Sequence, residues 1–167
     1  NPYMPRGAAK LAPPPPPVAA EARKKIVYLP SCVTRAMGPA RNDDDAGGEP
    51  VHAKFFSLLD KAGFEVVVPS NLGETCCGMI FDSRGYRDVG KSQSQMLEEK
   101  LLEVSDGGAL PIVCDTSPCL HRMKEKFENP MLKTAIHEPV QFIDLYLAEH
   151  LDFAKVKDTV AVHVPCS

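Results

Sequence analysis

The chain has 167 residues, 44% of them hydrophobic, a net charge of −3, six cysteines and no Trp. Length and apolar content suit one domain with a core. A slightly acidic chain poor in aromatics lacks the basic face and the base-stacking surface that nucleic acid requires, and no apolar run approaches the ~20 residues of a membrane span. The first residues lack the apolar stretch of a secretory signal, and the missing initial Met marks the chain as processed or as a fragment. Six cysteines set among strand and helix patterns indicate a reducing compartment and thiolates used for metal or redox work, not a secreted disulfide scaffold.

Residues 1–23 read as a proline-rich linker or tail. Pro13 to Pro17 favour an extended polyproline spacer, with docking on a partner as the alternative. Ile26 to Leu29 is a short buried strand stopped at Pro30, and residues 33–50 read as a loop rich in Gly, Pro, Asn and Asp. Phe55, Phe56, Leu58, Leu59 and Ala62 have helical spacing over Val51 to Ala62, ended by Gly63. Phe64 to Val68 is a second strand. Met96, Leu97, Leu101 and Val104 share a side of a helix over Val89 to Val104, which Asp106-Gly107-Gly108 terminates.

Leu110 to Val113 is the third strand. Ser117 as cap and Pro118 as first residue open a helix carrying Leu120, Met123 and Phe127. A short strand is expected over Thr134 to Ile136, a helix over Pro139 to Leu151 and a last strand over Thr159 to Val164. Short strands alternating with helices predict an α/β domain: three layers, a mostly parallel sheet with helices on both faces. Ligands of such sheets sit at the carboxyl ends of the strands. There is no GxGxxG after the first strand and no P-loop, so the chain lacks a phosphate cradle.

Cys32, Cys76, Cys77, Cys114 and Cys119 all follow strands or end them, which gathers them at that edge. Several converging thiolates bind iron or zinc well. A disulfide between the neighbours Cys76 and Cys77 would strain the peptide, whereas two adjacent thiolates reach two metals of one cluster and Gly78 lets the backbone approach. The plainer reading makes each cysteine a small buried hydrophobe. A zinc site is a third reading, although the chain has no CxxC. The histidines show no ligand spacing; His121 and His137 are the two within reach of that edge, and surface or capping roles suit them better. Asp43-Asp44-Asp45 reads as a solvated turn.

Pro30-Ser31-Cys32, Glu74-Thr75-Cys76-Cys77-Gly78 and Asp115-Thr116-Ser117-Pro118-Cys119 together resemble the cysteine-rich CCG domain of heterodisulfide reductase B subunits, glycolate oxidase iron–sulfur subunits and lactate-utilisation proteins. The last motif and His137-Glu138-Pro139-Val140-Gln141-Phe142-Ile143-Asp144 look closest to the C-terminal region of FAD- and iron–sulfur-containing D-lactate and related 2-hydroxyacid dehydrogenases. The resemblance implies one CCG repeat over 24–157. Residues 158–167, with Cys166, then form the first strand of a second, truncated repeat, echoing Leu29-Pro30-Ser31-Cys32.

It also implies a four-iron (4Fe-4S) cluster on Cys32, Cys76, Cys77 and Cys119. The family's CxxC would need Cys at 116, where this chain has Thr116; Cys114, on the same face of an extended segment, is the substitute. The implied function is electron transfer from a flavin that oxidises a 2-hydroxyacid to a respiratory acceptor. FAD would lie on a separate domain or subunit beside a ferredoxin-like iron–sulfur domain, in the cytoplasm or an organelle matrix or stroma, at most peripheral to a membrane complex. A degenerate repeat serving as a structural accessory subunit of a large complex, and a thiol or zinc module, are the competing readings. No complete active site is expected on this chain.

Overall fold

In the computed structural model, residues 4–8, 11, 14, 23–40 and 49–162 are described. Four parallel strands form the central sheet: β2 (Lys24–Leu29), β4 (Phe64–Val67), β5 (Ile112–Cys114) and β6 (Ile136–His137), in the order β4-β2-β5-β6. Helices α2 (Val51–Lys61), α4 (Arg87–Val104), α5 (Ser117–Lys126) and α6 (Pro130–Ala135) connect them. Parallel strands covered on both faces carry unbroken apolar runs, which is why the Ile26 to Leu29 stretch is fully buried.

Side-chain alternation along the strands divides the core in two. Val27, Leu29, Ile112, Cys114 and Ile136 face Leu97 and Leu101 of α4, and Leu120 and Met123 of α5. Ile26, Tyr28, Phe64 and Val113 face Phe55, Phe56 and Leu59 of α2, with Phe142 and Leu147 beyond. The three-layer α/β expectation is met, with helices on both faces of a parallel sheet.

Several local expectations change. The stretch read as a loop from residue 33 contains α1 (Cys32–Ala36), capped by Ser31, whose Oγ accepts from the Thr34 N–H at 3.2 Å. Strand β3 (Met37–Ala40) follows and pairs antiparallel with β1 (Pro5–Gly7). Part of the expected linker is therefore a strand on the domain itself, and Leu11 packs against the Tyr28 side of the core. Of the Pro13 to Pro17 run only Pro14 is described, and residues 41–48, with Asp43-Asp44-Asp45, lie outside the described residues.

The cap of α5 is Thr116, with Ser117 and Pro118 as its first helical residues. Helix α6 runs through Thr134 to Ala135, so the fourth strand starts two residues later than expected. The single helix expected over Pro139 to Leu151 breaks into α7 (Pro139–Phe142), a π turn (Ile143–Leu147) and a 3₁₀ turn (Ala148–His150). Phe142 and Leu147 are five residues apart and both fully buried, and the wider π turn puts them on one side. Among the described residues no strand forms over 159–162, and Val160 and Val162 stay exposed. Residues 163–167, including Cys166, lie outside the described residues.

Candidate functional site

In chain order β4 lies on one side of β2 and β5 on the other, so the crossovers reverse direction between β2 and β5. That reversal opens a crevice at the carboxyl ends of the two strands, where doubly wound sheets hold ligands. Leu29 and Cys114, the last residues of β2 and β5, are register partners there. Cys32 opens α1 just past β2, and Cys119 lies in the first turn of α5 just past β5.

Cys76 and Cys77 arrive from β4 through a loop with a 3₁₀ turn (Leu72–Glu74). Gly78 then turns the chain at φ +85° into α3 (Met79–Ser83), and a Cβ on it would stand 2.1 Å from the Gly90 carbonyl oxygen of α4. Only glycine combines that left-handed backbone with so close an approach. An ion pair from Arg122 Nη2 to Asp82 Oδ2, 2.5 Å long, ties α3 to the helix that carries Cys119.

The structure brings all five predicted cysteines to one cleft. Among the described residues its lining is Cys32, Cys76, Cys77, Cys114 and Cys119, with Leu29, Arg35, Thr75, Leu97 and Met123 among the others, and no carboxylate or imidazole. Cys32 is exposed at the mouth; Cys77, Cys114 and Cys119 are buried. The Cys77 thiol interacts with both Cys76 and Cys119. The Gly78 N–H donates to Cys76 Sγ at 3.4 Å, and Cys114 Sγ donates to the Thr116 carbonyl at 3.7 Å.

Hydrogen bonding to Cys77, then burial, raises the Cys76 thiol's pKa far above the ordinary range. The Cys77 thiol is also raised, chiefly by its bond to Cys119. Burial pushes Cys114 up to about 12. These thiols are protonated at neutral pH, so a metal must displace their protons, and binding strengthens as pH rises.

Two further residues hold the cleft together. Asp115 accepts from Tyr28 Oη (2.9 Å), the Ser31 N–H (2.9 Å) and Thr116 Oγ1 (3.1 Å), joining the Cys32 turn to the Cys119 turn. Burial first, then the Asp115 charge, keeps Tyr28 protonated far into the alkaline range. Arg35 reaches from α1 to the Leu72 carbonyl and, at 3.2 Å, to the Thr75 carbonyl just ahead of Cys76. Spacing alone singled out neither residue. The available signals were an Asp directly after a buried strand, where turn acceptors collect, and an Arg one helical turn past Cys32.

His121 and His137 do not line the cleft. His121 is exposed on α5, and His137 packs against Phe142 and Tyr146.

A donor set of thiols alone suits iron, zinc and other soft metals. As it stands the cleft measures about 20 Å³, room for one water. Among the described residues no three His, Cys, Asp or Glu side chains surround a common point closely enough to hold a metal ion. Filling the site therefore requires the thiols to rearrange around the occupant.

The family model CCG, the cysteine-rich domain, matches residues 26–124. The chain belongs to that family. The match starts in β2, at the head of the first cysteine motif, and ends in α5 past Cys119, so it spans the segments that build the cleft. No curated protein and no solved structure matches the chain. Membership of the cysteine-rich CCG family is consistent with an iron–sulfur-type electron-transfer module. Among the described residues no helix is long and apolar enough to cross a membrane.

Proposed function

We propose that Cys32, Cys76, Cys77 and Cys119, with Cys114 as a fifth donor, hold an iron–sulfur cluster of the 4Fe-4S kind. The CCG domain then relays electrons from a flavin that oxidises a D-lactate- or glycolate-type 2-hydroxyacid to a respiratory acceptor. The flavin and a ferredoxin-like cluster belong to other domains or subunits, and no step of substrate oxidation is assigned to this chain. The supporting observation is that five thiols from three strand ends line one cleft at the crevice between β2 and β5, unaccompanied by carboxylate or imidazole among the described residues. When bound, such a cluster supplies one-electron chemistry, and the protein tunes it through burial and hydrogen bonds to sulfur. The Gly78 N–H already directed at Cys76 is a bond of that kind.

A second reading, a structural accessory subunit of a large complex, is favoured by the small cleft and by Thr116, which donates its hydroxyl to Asp115 where the family motif has a ligand. Iron and acid-labile sulfide analysis of anaerobically purified chain separates the readings. About four irons with matching sulfide, lost together with visible absorbance in Cys77→Ser, supports the cluster. One zinc per chain makes this a thiol–zinc module. A colourless, metal-free protein that resists reconstitution removes the electron-transfer reading.

A further inference from the structure

Arg35 lines the thiol cleft yet does nothing that requires its charge while the thiols are neutral. Two of its guanidinium nitrogens bond to main-chain carbonyls, those of Leu72 and Thr75, which are neutral acceptors. Its Nε is buried and has no hydrogen-bond partner. The ion pairs among the described residues are Arg23–Asp60, Lys25–Glu65, Arg122–Asp82 and Lys126–Glu125, so no described carboxylate balances Arg35. A partly buried cation facing a cleft without an anion is an electrostatic cost, and an orphaned buried donor adds to it. A negative occupant of the cleft offsets the first cost and offers the guanidinium an acceptor. Among the described residues the only ionisable groups lining the cleft besides Arg35 are the five cysteines. A divalent metal on four thiolates leaves a net negative charge, and guanidinium N–H groups are good donors to anionic sulfur.

We propose that Arg35 is the built-in counter-charge for an anionic thiolate–metal group in this cleft, strengthening metal binding and raising the reduction potential of any redox-active group held there. The inference rests on the reading of the cleft as a thiolate metal site and adds the sign of the occupant's charge and the residue that answers it. Arg35 is a tuning and positioning residue, since it is one turn from Cys32 and bonds the main chain just ahead of Cys76.

The test uses Co²⁺ alone as probe, titrated anaerobically into the full chain and read by the thiolate-to-cobalt charge-transfer band. Arg35→Gln, which keeps a donor but loses the charge, is expected to weaken Co²⁺ binding at least ~10-fold, with a flatter dependence on salt. Arg35→Lys, which keeps the charge but not the fork, is expected to stay within ~3-fold of the parent. Where iron reconstitution succeeds, Arg35→Gln also lowers the midpoint potential and Arg35→Lys restores it. Equal affinity in all three chains overturns the proposal. Equal weakening in Gln and Lys also overturns it, because that pattern means Arg35 acts only as a tie to the Leu72 and Thr75 carbonyls. A parent chain with no charge-transfer band refutes the metal-site reading itself, and the counter-charge falls with it.

Discussion

Replacing Gly78 by Ala probes the contact that presses the Cys76-Cys77 loop against α4. The new Cβ would lie 2.1 Å from the Gly90 oxygen and 2.9 Å from its carbonyl carbon, so main chain must move. A left-handed backbone costs an L-residue about 1–2 kcal/mol, and overpacking against a rigid neighbour adds about 1–3 kcal/mol. Gly63 is the internal control: its φ is +79°, yet a Cβ there meets nothing within 4 Å. Gly63→Ala therefore carries only the backbone cost, and Gly78→Ala should lose about 1–3 kcal/mol more. Urea unfolding of the metal-free chains, compared at constant m, measures the difference. The movement also shifts Cys77 relative to Cys119, so metal uptake should fall in Gly78→Ala and stay normal in Gly63→Ala. Equal losses in the two variants would refute the idea that the Gly78–Gly90 approach holds the cleft's wall.

Asp115→Ala strips the partner from the buried Tyr28 hydroxyl and from the Ser31 N–H, at about 1–3 kcal/mol for each orphaned group. Tyr28→Phe removes one donor and leaves Asp115 with two, so it should cost about 1 kcal/mol. Thermal unfolding that ranks the two variants equal would show that Asp115 does not join the turns. Burial, and then the charge of Lys124, depresses the pKa of His137. The unfolded chain then takes up the proton before the native one does, so this contribution is intact above about pH 6.5 and is lost as pH falls through the lower native value. The parent should lose stability relative to His137→Phe as pH is lowered from 7.5 to 5; a gap that does not change with pH would mean that folding leaves the proton affinity of the ring unaltered.

The apolar run Ile26 to Leu29, stopped at Pro30, reads as a buried strand, and the helical spacing of Phe55, Phe56 and Leu59 reads as one apolar face of α2, because burial sets those patterns. Placing cysteines after strands predicted the edge at which they collect, since every parallel strand ends on the same side. Those facts are local, and the chain states them residue by residue. The π turn that aligns Phe142 with Leu147, the antiparallel pairing of Pro5–Gly7 with Met37–Ala40, and the missing strand at 159–162 depend on which neighbours are present, so their residues carried no sign of them. The roles of Asp115 and Arg35 are of the same kind: a carboxylate 84 residues from Ser31 and a guanidinium 40 residues from Thr75 become structural ties only once the sheet order brings β2, β5 and the Cys76 loop together. The five cysteines named from the sequence all line one cleft. Only the fold sets their spacing, which of them are buried, and the cation beside them, because each is a distance between segments that share no local pattern.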